Sequence, residues 1–161
     1  MSEMPLALLV TGGATWKSGL KSMLEHRGLA VFDASNCAEA TLLLQSLTPP
    51  HIVFTDMQLA DGSWAGILSL AEISALPVNV IVVSRNADID SYVQVLERGA
   101  FDFIVSPLET SEIDHVVRCA LGNALVRREH HKKPEHQASQ GDKVEEGPSA
   151  LDDDLEMAPS L

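Results

Sequence analysis

The sequence has few cysteines and few aromatic residues. Only two cysteines, Cys37 and Cys119, occur among 161 residues, which is too few for the disulfide framework of a small secreted protein. Both fall within predicted helices, where we expect buried free thiols. Aromatic residues make up 4% of the chain and apolar residues 45%. A core can therefore form, and it must consist mainly of Val, Leu, Ile and Ala.

Basic residues and long apolar runs are also scarce. Residues 1–126 carry 6 Lys and Arg against 14 Asp and Glu, and residues 127–161 carry 5 against 9. Affinity for nucleic acid comes from Lys and Arg that displace counterions from phosphates, so the ordered domain is not expected to bind nucleic acid directly. No run of 18 apolar residues exists, and Met1–Pro5 lacks the basic start of a signal peptide. We therefore expect a cytoplasmic protein with no membrane partner.

What the chain does have is a regular alternation of short apolar runs and helical patterns. A helix is expected over residues 38–47, after the capping residue Asn36, with an apolar face of Leu42, Leu43, Leu44 and Leu47. The last helix is expected from about Glu109 to Arg128. The apolar runs read as five strands, which begin at Leu6, Leu29, His51, Val78 and Phe101.

Alternating units of this kind predict an α/β fold, a doubly wound five-stranded parallel sheet with the flavodoxin-like strand order 2-1-3-4-5. Two helices are expected on one face of the sheet and three on the other. We expect the domain to cover residues 1–129. From residue 130 the pattern gives way to Pro, Ser, Gln, Gly and charged residues, which indicates a disordered acidic tail over residues 130–161.

Candidate site residues follow from this topology. Ligands of open α/β sheets bind outside the carboxyl ends of the strands, where the strand order reverses. In the expected order this point lies between the first and third strands, which are followed by Thr11 and Gly12 and by Asp56. The neighbouring strands end near Ser84 and Ser106. From position alone, Asp56 is equally well explained as a turn or helix-capping acid.

Three segments carry a resemblance to a known family. They are Val53–Gly62, Val80–Ser84 and Gly99–Pro107. Together they resemble the receiver domain of bacterial two-component response regulators over about residues 5–126, and Gly99–Pro107 is the best match of the three. Each segment is weakly specific alone, and the three in this order are fairly specific.

The resemblance implies a phosphorylation site. By this resemblance Asp56 is the phosphoacceptor, the Ser84 hydroxyl bonds the phosphate, and Phe103 is the aromatic residue that changes rotamer when Ser84 moves. A phosphorelay module of this kind is not an enzyme. Its expected partner is a sensor histidine kinase or another signalling protein.

The chain departs from the family pattern at three positions of this site. The family ends its first strand with two acids that hold Mg²⁺, where this chain has Thr11 and Gly12. The family also has a lysine before the fifth-strand proline, where this chain has Ser106. Phosphoryl transfer relies on metal and lysine to neutralise charge, and Mg²⁺ usually needs more carboxylate ligands than one. We therefore expect no bound cofactor, weak Mg²⁺ binding and an incomplete site.

Several alternatives remain open from the sequence. Asp56 is phosphorylated weakly in one hypothesis, and in another the domain is a pseudo-receiver that needs no phosphorylation. A third is a small nucleotide- or flavin-binding protein that uses the turn Thr11–Ala14, although that turn lacks the G-x-G-x-x-G spacing. A homodimer is one expectation for association; in the alternative, the last helix buries its apolar stripe within the monomer. The residues expected at the dimer face are Val93, Leu96, Val117 and Leu121.

Overall fold

The computed structural model describes residues 4–132, which contain seven strands and five helices. The strands are β1 Leu6–Val10, β2 Ala30–Ala34, β3 Ile52–Asp56, β4 Gln58–Leu59, β5 Gly62–Ser63, β6 Asn79–Ser84 and β7 Asp102–Val105. The helices are α1 Trp16–His26, α2 Cys37–Leu44, α3 Trp64–Glu72, α4 Ile89–Arg98 and α5 Thr110–Lys132.

Five of these strands form one sheet in the order β2-β1-β3-β6-β7, and β4 and β5 form a separate antiparallel hairpin. Every neighbouring pair within the five-stranded sheet is parallel. Counted over this sheet alone, the order is 2-1-3-4-5, because the hairpin adds two strands to the numbering. The expected doubly wound α/β sheet is confirmed, and its strand order reverses between β1 and β3.

Helices cover both faces of the sheet. Successive residues of a strand point to opposite faces, so Leu8 packs into one core and Leu9 into the other. The first core lies between the sheet and α2, α3 and α4, and the second lies between the sheet and α1 and α5. The expected division of the helices, three on one face and two on the other, is observed.

A buried polar group ties α5 to the sheet. Asn79, the first residue of β6, is 5% exposed. Its side-chain amide donates to the carbonyl oxygen of Ala120 at 2.8 Å and to Oδ1 of Asn123 at 3.0 Å. Arg127 donates to Oδ1 of Asn79 at 2.8 Å. Because a buried amide without partners is costly, these bonds fix the register of α5 on the sheet.

Two helix ends agree with the sequence, the start of α2 and the end of α4, and two do not, the ends of α2 and α5. Asn36 accepts from the backbone N–H of Glu39 at the start of α2, and Gly99 follows α4 with φ +116°. The expectation that α2 reaches residue 47 is wrong, because it ends at Leu44. The last helix is longer than expected and continues to Lys132.

The apolar face expected for α2 is also wrong in part. Leu42 is 77% exposed and Leu47 is 86% exposed. Leu44 was expected on this face and is buried, and so is Ala40, four residues earlier. Ser46 closes the end of the helix, where its hydroxyl donates to the carbonyl oxygen of Leu43 at 2.9 Å. Leu47 therefore lies beyond the last turn and has no helix face to share.

Neither cysteine is buried in the way the sequence suggested. Cys119 is exposed and Cys37 is half-buried, and both are free thiols. Cys119 lies on α5 outside the set of residues that meet the core. The pKa of the Cys37 thiol is raised mainly by burial and, to a smaller extent, by the neighbouring Asp61.

The chain divides into two units, Met1–Arg127 and Arg128–Leu161. Of the second unit the structure describes only the end of α5. The tail that the sequence predicts to be disordered therefore lies, from residue 133 onward, outside the described residues. Within residues 4–132 no helix combines the length and the apolar character needed to cross a membrane.

Candidate functional site

Asp56 lies at the point where the strand order reverses. It is the last residue of β3 and is half-buried. The preceding residue, Thr55, is opposite Val10 in β1. Thr11 follows β1 directly and is 2% exposed. The structure thus brings together the two strand ends that the sequence placed at one site.

Both carboxylate oxygens of Asp56 accept hydrogen bonds from neighbouring side chains. The hydroxyl of Thr11 donates to Oδ2 at 2.6 Å, and the indole N–H of Trp16 donates to Oδ1 at 2.9 Å. Trp16 is the first residue of α1 and is 7% exposed. Hydrogen bonds to an ionised carboxylate are shorter and stronger than those between neutral groups. Two neutral donors therefore hold the side chain of Asp56 in place.

Thr11 also organises the loop between β1 and α1. Its hydroxyl oxygen accepts from the backbone N–H groups of Gly13, at 3.3 Å, and of Ala14, at 2.9 Å. Gly13 has φ +132°, a conformation that favours glycine. A nucleotide-binding turn uses such amides to hold a phosphate. Here the amides are bonded to Thr11, which does not favour a phosphate-binding role for this turn.

Gly12 lies next to this network and is exposed. A Cβ atom added at Gly12 would lie 3.8 Å from the carbonyl oxygen of Ser35, which is an ordinary contact distance. The backbone therefore leaves room for a side chain at this position, and the absence of a carboxylate there is not imposed by space.

Ser84 and Phe103 lie on the next two strands of the sheet. Ser84 ends β6 and is 7% exposed, and its hydroxyl both donates to the carbonyl oxygen of Asn86 and accepts from its N–H, each at 3.0 Å. The ring of Phe103, also 7% exposed, makes an edge contact with Tyr92 of α4 at a centroid distance of 5.8 Å. Linked movement of Ser84 and Phe103 stays a prediction.

Ser106 follows β7 at the same edge of the sheet. Its backbone N–H donates to the carbonyl oxygen of Ser84 at 2.8 Å. Ser106 and Trp16 also lie on opposite sides of a groove of about 500 Å³, between α1 and the segment that joins β7 to α5. We call this the α1–α5 groove. Its lining includes Gly19, Met23, Pro107, Leu108 and Ile113.

Residues 8–118 match the family described as the response regulator receiver domain. The chain belongs to this family. It therefore belongs to the receiver domains of two-component regulatory systems, as the motifs around Asp56, Ser84 and Phe103 suggested.

Individual relatives agree with this assignment. The receiver domain is 29% identical over 115 residues to the response regulator protein PilR of Pseudomonas aeruginosa, which covers 71% of this chain and 26% of PilR. This chain thus spans about a quarter of the length of that regulator. The fold resembles a signal receiver domain of a putative Luxo repressor protein from Vibrio parahaemolyticus, with 21% identity, a TM-score of 0.70 and coverage of 77% of this chain and 95% of the other.

A further structural neighbour is a dimer. The solution structure of the beryllofluoride-activated NtrC4 receiver domain dimer has a TM-score of 0.66 and 22% identity to this chain, and it covers 74% of this chain and 98% of that one. At this identity the similarity shows the fold alone.

The residues around Asp56 do not fit the Mg²⁺ ion of a receiver domain. By the resemblance, Thr11 and Gly12 stand where the family has its two acids. Thr11 and Trp16 point hydrogen-bond donors at the two oxygens of Asp56, and a donor hydrogen does not coordinate a cation. Within residues 4–132 no group of three His, Cys, Asp or Glu side chains lies close enough to hold a metal ion.

Trp16 is the site residue that sequence reasoning missed. The sequence placed it only at the start of the first helix, whereas its indole bonds an aspartate 40 residues away. One signal was available. A tryptophan N–H is donor-only and usually has a partner when it is buried. The first helix of this fold begins directly beside the switch point, so Asp56 was within its reach.

Proposed function

We propose that this receiver domain acts in two-component signalling through protein contacts, without phosphorylation of Asp56. Of the receiver hypotheses that the sequence left open, this is the pseudo-receiver. The proposal is carried by one observation, the pair of hydrogen bonds that Thr11 and Trp16 donate to the two oxygens of Asp56. Asp56 occupies the phosphoacceptor position, and its carboxylate is engaged in the structure of the domain.

The expected loss of reactivity is large. Each oxygen of Asp56 accepts a hydrogen bond, from Thr11 or from Trp16, and this makes it a weaker nucleophile towards phosphorus. A bound metal contributes several kcal/mol of charge stabilisation in such a reaction, and each 1.36 kcal/mol changes the rate about tenfold. With the acid pair and the lysine replaced by Thr11, Gly12 and Ser106, we expect phosphoryl transfer to be slower by several orders of magnitude.

The same replacements make the unmodified site stable without a cation. Two acids beside Asp56 would repel its carboxylate, and a cation would be needed to relieve the repulsion. Thr11 adds no charge and donates a hydrogen bond instead. The domain is thus suited to remain in one conformation that partners recognise.

The partner that we propose is a sensor histidine kinase or another signalling protein. The ordered part is acidic, since residues 1–126 carry 14 Asp and Glu against 6 Lys and Arg, and we expect no direct binding to nucleic acid. We propose a module in the cytoplasm with no enzymatic turnover of its own.

The test is phosphorylation measured by intact mass. The protein is incubated with acetyl phosphate and Mg²⁺, and we expect at most a trace of the mass increase of one phosphoryl group. Stoichiometric modification within minutes, lost in Asp56→Asn, would overturn the proposal.

A restored variant serves as the matched comparison. Thr11→Asp, Gly12→Asp and Ser106→Lys together return the three family residues, and the space at Gly12 accepts a side chain. We expect this variant to gain both Mg²⁺ binding and phosphorylation, and to lose phosphorylation again when Asp56→Asn is added. If the original protein and the restored variant react equally fast, the missing residues are not the cause.

A further inference from the structure

The first turn of α1 lacks the side-chain cap that α2, α3 and α4 have. Asn36, Ser63 and Asp88 each accept a backbone N–H at the start of α2, α3 and α4. Thr15 precedes α1 in a helical conformation without a side-chain cap bond, and the first turn of α1 carries no acid. An uncapped helix start leaves several N–H groups without partners and frays readily. Something else must hold this end of α1.

Asp56 holds the start of α1 through two hydrogen bonds. Its oxygens accept from Trp16, the first residue of α1, and from Thr11. Thr11 in turn accepts the backbone N–H groups of Gly13 and Ala14. One carboxylate is therefore the common acceptor for both ends of the segment that leads into α1.

The other end of α1 is held separately. Arg27, which follows α1, pairs with Asp114 of α5, and this guanidinium is the main cause that lowers the pKa of Asp114. Leu20 and Leu24 pack α1 onto the sheet, and among the side-chain hydrogen bonds to its first turn and the loop before it, Asp56 accepts those of Trp16 and Thr11. The α1–α5 groove lies between these two helices.

Trp16 contributes to both the Asp56 site and the groove. Its indole N–H bonds Asp56, and its side chain lines the α1–α5 groove opposite Pro107 and Leu108. Trp16 is 7% exposed, so a change in the orientation of its ring must displace neighbouring atoms in a packed environment. A change at Asp56 that breaks this bond would therefore alter the wall of the groove.

We propose that Trp16 is a positioning residue that couples the state of Asp56 to the shape of the α1–α5 groove. The coupling runs from β3 to the first turn of α1. It is distinct from the route through Ser84 and Phe103 that the family resemblance implies. The inference rests on the proposed function in one respect, that Asp56 is an unmodified carboxylate in the working protein.

The experiment observes Trp16 by itself. Trp64 is the other tryptophan and packs in the core on the opposite face of the sheet, so Trp64→Phe leaves Trp16 as the only indole. In this background the indole N–H resonance of Trp16 and the amide exchange of residues 16–20 and 106–113 are measured. The variants are Asp56→Asn, Asp56→Ala and Trp16→Phe, with Ser84→Ala as the control at the same edge.

We expect Asp56→Ala to shift the indole resonance of Trp16 and to speed amide exchange in both segments by about tenfold or more, as for loss of one hydrogen bond to a charged group. Trp16→Phe keeps the ring and loses the N–H, and should speed exchange to a similar extent. The double variant should exchange no faster than either single variant, because both remove the same bond. Ser84→Ala should leave the indole resonance unchanged.

Two results would overturn the coupling. One is an indole resonance in Asp56→Ala at its original position, with groove amides that exchange as before. The other is full additivity of Asp56→Ala and Trp16→Phe. If either variant fails to fold, the conservative Asp56→Asn, which keeps an acceptor oxygen but loses the charge, must still shift the resonance for the coupling to stand.

Treatment with acetyl phosphate and Mg²⁺ separates this inference from the proposed function. A mass increase at Asp56 would refute the proposed function. If the indole resonance moved in step with that increase, the coupling would still be supported, and if it stayed constant, the coupling would be refuted as well.

Discussion

Thr11 donates a hydrogen bond to Asp56, which an ionised carboxylate at the same position could not do. It is 2% exposed and lies 2.6 Å from Oδ2 of Asp56. An acid at this position would add negative charge beside Asp56 and would require a cation. In the function that we propose, this hydroxyl group takes the place of a metal ligand, and the protein's own side chains close the site.

Replacing Thr11 tests whether its hydroxyl group stabilises the folded domain. Thr11→Val keeps the shape of the side chain and removes the hydroxyl, which leaves Oδ2 of Asp56 and the N–H of Ala14 without their partner. We expect the free energy of unfolding to fall by about 1–3 kcal/mol, measured by urea denaturation. Thr15→Val is the control, because Thr15 is exposed and makes no capping bond, and it should change stability by less than about 0.5 kcal/mol. Equal losses in the two variants would contradict the role of Thr11.

Sequence reasoning reached some residues of the site and not others. Thr11 and Asp56 were predicted to meet because both follow strands that are neighbours in the expected order, and they do. Trp16 was not predicted, since its bond to Asp56 depends on the rotamer of a side chain and on the angle at which α1 leaves the loop. The pattern of strands in a sequence predicts where each strand ends in the sheet. It does not predict a side-chain rotamer or the angle at which a helix leaves a loop.

At the level of elements, the β4–β5 hairpin acts as a cap for a neighbouring helix. Asp61, in the turn of this hairpin, accepts from the backbone N–H of Cys37 at 2.7 Å and of Ala38 at 3.0 Å. Close approach is required here, because a Cβ atom on Gly62 would lie 2.9 Å from Sγ of Cys37. The start of α2 is thus held by Asp61 in addition to its own cap, Asn36.

This cap predicts a pH dependence of stability. The hydrogen bond from the N–H of Cys37 is the main cause that lowers the pKa of Asp61 below its ordinary value of 3.8. The native state therefore favours the ionised form, so the stabilisation is present above the ordinary pKa and is lost as the pH falls through the lower native value. We expect Asp61→Asn to be less stable than the original protein at pH 7, and the difference in urea midpoint to close as the medium becomes strongly acidic.

The control for this prediction is Glu97→Gln, which removes one exposed acid from α4. It reports the general effect of net charge on stability over the same pH range. A difference between Asp61→Asn and the original protein that stays constant from neutral to strongly acidic solution would show that the carboxylate of Asp61 has no special role.

The helices show where sequence patterns lose information. The start of α2 was predicted from Asn36, whose capping geometry is local. The end of α2 was not, because a run of leucines has no single apolar face, and burial of Ala40 and Leu44 is decided by packing on the sheet. In the same way, charged residues near the end of α5 gave no stop signal, and the helix continues to Lys132.

For the molecule as a whole, the strand order was predictable because few topologies satisfy five parallel β–α units. The β4–β5 hairpin was not predicted as strands, since two residues are too few to show an alternating pattern. The strand order does not predict which apolar residues are exposed at the surface. Val117 was expected at a dimer face and is 1% exposed in the core, and Leu121 packs against the same core. Val117 is therefore not available for a partner, and Leu121 is available only in part.

Helix α4 does carry exposed apolar side chains. Ile89, Tyr92 and Val93 are 72%, 44% and 43% exposed, and their spacing of three and four residues places them on one face of the helix. A stable interface buries about 800 Å² on each partner, which is more than three partly exposed side chains provide. The face therefore suits weak association between copies of the chain.

We accordingly expect a monomer at micromolar concentration and a dimer only near about millimolar concentration, measured by sedimentation equilibrium. Val93→Asp places a charge at the centre of the α4 face and should abolish association, because an unpaired charge in an interface is costly to desolvate. Leu47→Asp is the matched control, since Leu47 is 86% exposed and lies beyond the end of α2; it should associate as the original protein does. A protein that stays monomeric at every concentration, or a Val93→Asp variant that associates normally, would rule out this face.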